Sequence, residues 1–279
     1  MRMRAILFAG PVMLAGTAAA ADHIDWIVTD FPPAHVVAGD DAGTGILDLE
    51  IRYLTEHLPD FVHDTRKIAN VRAWALIRDH DGICIAGAID LPERRQFALY
   101  SQHVAMAILG PQVLVRQDQA ERFDPFRTAA GEIDLKKLAA DSSLRAARTR
   151  DRPLGAPIEE FPGPEGTAQL SSLPTSGQAV TMLDKGHVDY AFGYANEITY
   201  YRSGHPGSAE MTAIPIAGQP RVLHTRVACS DGPVGRRAIG RIDEVLGRAG
   251  TPPPYFEATG RWYDPADFRE LSAKADWPR

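Results

Sequence analysis

The sequence is poor in the residues that build metal centres and covalent catalysis. It has only two cysteines, Cys84 and Cys229, too few for a thiolate cluster. Its nine histidines are scattered, and none falls into the i, i+4 pairing that places two ligands on one helix face, so neither a metal site nor a cofactor is expected. The chain also lacks a glycine-rich phosphate loop, a dinucleotide fingerprint and a nucleophile elbow. Thirty basic against thirty-six acidic side chains leave a formal charge of −6, which provides no cationic footprint for nucleic acid.

Long apolar runs are missing too, except at the N-terminus. There Arg2 and Arg4 precede an apolar stretch over residues 5–16, and Ala18, Ala19 and Ala20 form a small-residue exit. This is the pattern of a secretory signal peptide cut near Ala20 or Ala21. The stretch is short for a membrane span, and no cysteine follows it to carry a lipid, so a soluble periplasmic product is expected. The remaining residues, 22–279, exceed one ordinary domain and suit two. With 44% hydrophobic and 24% charged residues they read as globular. In an oxidising compartment the even cysteine count invites pairing, with two buried free thiols as the alternative.

What is present is a regular alternation of strand and helix signals. Trp26-Ile27-Val28 reads as a strand that runs into Pro32-Pro33. Two prolines fix φ and remove two amide donors, so the chain leaves the sheet as a rigid loop with Phe31 at its edge. Leu47, Ile51, Leu54 and Leu58 share one helix face, and Pro59 ends that helix. A second amphipathic stretch around Val71, Trp74, Ala75 and Ile77 leads to a turn at Asp81-Gly82. The apolar run Ile83 to Ile89 then fits a buried strand, broken at Asp90 and Pro92 and followed by the pair Arg94 and Arg95. This β-α-β-α-β order predicts an α/β fold with a parallel-sheet lobe. Further on, the spacing predicts a short helix over 134–140, a strand over 144–149, a turn over 151–155 and a loop over 161–172. A helix over 178–185 follows, with Ser176 as its N-cap, then strands over 188–192, 213–216 and 221–228, and a closing helix over 234–246.

Taken in order, Leu91-Pro92-Glu93-Arg94-Arg95, Ala98-Leu99-Tyr100-Ser101 and the later Gly186-His187-Val188-Asp189 resemble the bacterial extracellular solute-binding proteins of the amino-acid-binding type (solute-binding family 3). The resemblance runs from about Asp25 to about Tyr263. It implies two discontinuous α/β lobes of the type II periplasmic binding protein kind, joined by two hinge strands with a ligand cleft between them. Residues 22–108 and 198–279 would form the first lobe and 109–197 the second. Both cysteines would then lie in the first lobe, where a Cys84–Cys229 disulfide would tie its two segments together.

The resemblance also implies a site. Arg95, aligned in preference to Arg94, would hold a ligand carboxylate through two parallel hydrogen bonds. Phe31 would form a wall, and Arg152 and Thr175-Ser176 would lend donors from the second lobe. Tyr194 stands where many members place an acid for the ligand's ammonium, and a phenol cannot neutralise a cation at neutral pH. Asp90, where a hydroxyl residue is common in the family, keeps an amino- or hydroxyl-bearing ligand in view. The function implied is capture of a small polar or anionic solute by a monomer that serves an inner-membrane ABC permease or a sensor kinase. Two alternatives share the fold. One is a periplasmic prephenate- or arogenate-type dehydratase with Glu197 as general acid. The other is an accessory protein whose cleft is filled by Phe31, Trp74 and Tyr194.

Overall fold

Two sheets organise the chain in the computed structural model, which describes residues 21–150, 152–162 and 166–277. Residues 1–20, on which the signal-peptide assignment rests, lie outside the described residues, as does Asp151 in the expected turn. The first elements are β1 (Asp22–Val28), α1 (Ile46–His57), β2 (Phe61–Lys67), α2 (Asn70–Asp79) and β3 (Ile83–Ala88). β1 runs parallel to both β2 and β3. β3 is buried along its whole length apart from half-buried Gly87, as a strand covered on both faces must be. β4 (Ala98–Tyr100) and β5 (Met106–Leu109) follow, and the first sheet is completed far along the chain.

Three residues past β5 the path has changed sheet. β6 (Gln112–Arg116), α3 (Leu135–Ala139), β7 (Arg145–Thr149), α4 (Ala156–Glu159), β8 (Gln169–Leu173), α5 (Ser176–Asp184), β9 (Tyr190–Gly193), α6 (Ala195–Gly204) and β10 (Met211–Pro215) build the second lobe. Its sheet order is β10-β6-β9-β7-β8. The chain then returns as β11 (Val222–Ser230), which lies antiparallel between β3 and β4 and also pairs with β5. α7 (Pro233–Ala249) closes the first lobe by packing Ile242, Val245 and Leu246 onto Ile24, Trp26 and Leu54. α8 (Pro265–Lys274) packs beside β5, in a cluster with Phe256, Trp262 and Tyr263.

The fold is thus two-lobed and α/β, and the described boundaries refine the expected ones. Residues 194–200 do not cross back. They enter α6, which packs on α5, and β10 belongs to the second sheet because it pairs with β6 over its full length. The return crossing is therefore at 216–221. Residues 117–126 form a 3-10 helix, and the expected loop over 161–172 contains most of β8. β8 is an edge strand with mostly exposed Gln and Ser side chains, so it lacks the apolar alternation that marks a strand in sequence.

The crossing segments touch. The Gly110 amide donates to the Arg221 carbonyl at 2.9 Å, and a Cβ on Gly110 would collide with the Pro220 carbonyl oxygen. Glycine is needed here for close backbone approach. Cys84 and Cys229 face each other in register on β3 and β11 and form a disulfide, which joins the N-terminal and C-terminal segments of the first lobe across a separation of 145 residues.

Candidate functional site

The cleft opens where β1 and β3 end and where the loops after β7 and β9 face them, the crevice that open α/β sheets commonly use for ligands. β1 leads through Thr29 into the Phe31-Pro32-Pro33 loop, and β3 leads into Ile89. From the second lobe come Arg152 and Pro153, after β7, and Tyr194 and Asn196, after β9. This inner arm encloses about 950 Å³, counting its open mouth. An outer arm of about 1090 Å³ adjoins it and is lined by Arg148, Thr149, Arg150 and Ser172. Asn70, Trp74, Arg94, Arg152 and Pro153 border both.

Arg152 stands at the lobe interface. Its guanidinium lies 4.8 Å from the Phe31 ring centre and 4.7 Å from that of Tyr194, so one cation touches an aromatic wall from each lobe. It also forms an ion pair with Glu197, which is 4% exposed and whose second oxygen accepts the Tyr194 amide at 3.0 Å. Burial works against the charge of Arg152, and the Glu197 carboxylate and the Tyr194 oxygen more than offset it, leaving its pKa above the usual value. Burial likewise pushes the Tyr194 phenol up.

The two neighbouring arginines part company. Arg94–Gln96 is a single 3-10 turn, in which successive side chains point about a third of a turn apart. Arg95 is turned outward, 59% exposed, with Nε donating to Asp90 Oδ1 at 2.6 Å and Nη2 to Asp90 Oδ2. Arg94 is half-buried, lines both arms, and lies 4.0 Å over the Trp74 ring. It forms no ion pair with any described residue. The structure therefore presents Arg94 to the cleft and gives Arg95 to Asp90, and neither member of that outer pair lines it. Thr175 is also elsewhere: it caps α5, accepting the Gln178 amide at 3.3 Å, and is exposed outside both arms.

One buried couple in the inner arm escaped the sequence. His35, 1% exposed, bonds through Nδ1 to Asp48 Oδ1 at 2.7 Å, while Asp48 Oδ2 accepts the amides of Val36 at 2.9 Å and Gly45 at 3.0 Å. Burial raises the Asp48 pKa, but the His35 ring and the two amides outweigh it and the net shift is downward. The available signal was Asp48 three residues after Gly45, the acceptor position of a helix-capping box.

No protein-family model and no curated protein matches the sequence. Solved structures do, and they share its two-lobed α/β fold; among them are proteins titled as substrate-binding or extracellular-binding proteins of amino-acid ABC transporters. The probable amino-acid ABC transporter extracellular-binding protein ytmK from Bacillus subtilis superposes with a TM-score of 0.61 at 12% identity, covering 91% of this chain and 97% of that one. The ancestral amino-acid-binding protein AncCDT-1, a precursor of cyclohexadienyl dehydratase, gives 0.63 at 13%, covering 87% and 96%. The periplasmic VFT2 domain of Bordetella pertussis BvgS gives 0.57 at 13%, covering 89% and 93%. At such identities the likeness is one of fold. Among the described residues, no helix is long and apolar enough to cross a membrane.

Proposed function

We propose that this protein captures a small organic anion in the cleft between its lobes, outside the cytoplasmic membrane, and that closure of the lobes signals occupancy. The observation that carries this reading is Arg94, a half-buried cleft arginine with no carboxylate partner among the described residues. A planar guanidinium held over an aromatic ring is preorganised to take a carboxylate through two parallel hydrogen bonds. Arg152 serves a different end, as the cation that joins Phe31 to Tyr194. The closed form would be delivered to an ABC importer or to a membrane sensor. The fold neighbours support both outputs, since one is titled as an ABC transporter binding protein and another as a BvgS periplasmic domain.

Binding rather than dehydration is the reading that Glu197 favours. Both of its oxygens accept protein donors, from Arg152 and from the Tyr194 amide, and the side chain is 4% exposed and on the lining of neither arm, so it is not set to reach a substrate. The test is thermal unfolding against a panel of carboxylic acids, in which an acid at a hundred times its Kd adds about 2.7 kcal/mol and moves the midpoint by several degrees. Arg94→Ala is expected to weaken binding of any acid so found by roughly tenfold to a hundredfold, the worth of a charge-assisted hydrogen bond. Arg95→Ala is expected to leave binding unchanged. The reverse result would return the anchor to Arg95.

A further inference from the structure

The two arms of the cleft differ in chemistry, and the difference selects among anions. Hydrocarbon dominates the inner arm, from Leu47, Ile46, Ile85, Ile89 and Ile108 with the Phe31 ring above them. Among the described residues, no aspartate or glutamate lines it. At its edge the buried ion pair of Arg152 with Glu197 is closed on itself, and the Asp48 carboxylate is taken up by His35 and two amides. The outer arm is cationic. Arg148 donates there only to main-chain carbonyls, of Ile158 and Glu159, both at 3.3 Å, so its charge is not neutralised by that contact. Glu159 is the single carboxylate on that lining among the described residues. Arg94 stands at the junction of the two arms.

From this division we infer that the solute is an amphipathic organic acid without an amino group: its carboxylate meets Arg94 at the junction, and its aromatic or branched hydrocarbon part fills the inner arm. The inference rests on the anion-capture reading above and narrows it. An α-ammonium beside that carboxylate and directed into the inner arm would meet no anionic side chain among the described residues, and a cation moved from water to an apolar site without a partner is strongly disfavoured. A hydrocarbon body, by contrast, gains with each buried methylene. A second carboxylate directed inward would meet the isoleucines.

A matched set of probes tests this by calorimetric titration at pH 7. 3-Phenylpropionate and L-phenylalanine share a skeleton and differ in the ammonium, while succinate replaces the ring by a second carboxylate. 3-Phenylpropionate is expected to bind at least tenfold more tightly than either, and Arg94→Ala to remove most of that affinity. If L-phenylalanine binds as well as 3-phenylpropionate, the cleft holds a partner for the ammonium and the inference is overturned. Tighter binding of succinate overturns it as well. In both of those cases, loss of the stronger binder's affinity in Arg94→Ala leaves the anion-capture reading standing. If none of the three binds, or if Arg94→Ala changes nothing, that reading falls along with the inference.

Discussion

Glu50 offers a quantitative test of how the first lobe is held together. It lies on the inner face of α1 with 0% exposure, and neither carboxyl oxygen makes a hydrogen bond of ordinary geometry. Burial pushes its pKa from 4.5 up to about 8, and the Gly87 backbone offsets only part of that. Between those two values the folded protein keeps a proton that the unfolded chain has released. The contribution of Glu50 to stability is therefore greatest below pH 4.5 and falls by about 1.4 kcal/mol per pH unit until the folded group itself ionises. Over the whole window, a shift of about 3.5 units, the loss is roughly 5 kcal/mol, a large share of an ordinary domain's stability. Glu50→Gln keeps the shape and cannot titrate. Urea unfolding of both proteins at pH 5, 6, 7 and 8 isolates the effect, because the contributions of other groups cancel in the difference. The advantage of the variant is expected to grow with pH by roughly 4 kcal/mol across that range. Parallel pH profiles would refute the assignment of a buried, protonated Glu50.

Other substitutions probe other parts of the chain. Cys84→Ser, or reduction of the disulfide, is expected to cost about 5 kcal/mol in the chain-entropy picture for a loop of this length, read as a lower urea midpoint; an unchanged midpoint would show that the bridge constrains little. Glu197→Gln strands the buried Arg152 charge and is expected to cost about 3 kcal/mol, with Arg152→Gln in the same chain recovering most of it. Gly240 lies on the exposed side of α7 with nothing within 4 Å of a Cβ, so Gly240→Ala is expected to stabilise the protein by about 0.5–1 kcal/mol, and a lower melting temperature would count against this account of α7.

The first lobe was legible where local pattern and tertiary role agree. Leu47, Ile51 and Leu54 mark α1, and the apolar run from Ile83 marks a strand covered on both faces, because each signal is local and each face is buried. Glu50 falls under the same rule, since it stands four residues from Ile46 and four from Leu54 on that apolar face, while its charge-bearing side chain is of the type normally found on the solvent face. β10 pairs in the second sheet, not the expected first, because its partner, β6, lies about a hundred residues earlier, and nothing local to Met211–Pro215 encodes that choice. Arg94 and Arg95 could not be separated by type. The deciding group is Asp90, whose carboxylate takes one of the two and leaves the other facing the cleft.

The place of β11 in the first sheet has a consequence for a chain made from its N-terminus. The second lobe is one continuous stretch, and all of its strands exist once Pro215 has been added. The first lobe at that moment is half a sheet, with the flank of β3 that later receives β11 bare and Cys84 still a thiol. A nascent or truncated chain ending before Val222 would thus pair a finished unit with an open β edge, the kind of edge that recruits strands from other molecules. Arrival of β11 covers that flank and brings Cys229 beside Cys84, so oxidation of the cysteine pair records that the last strand has reached its place.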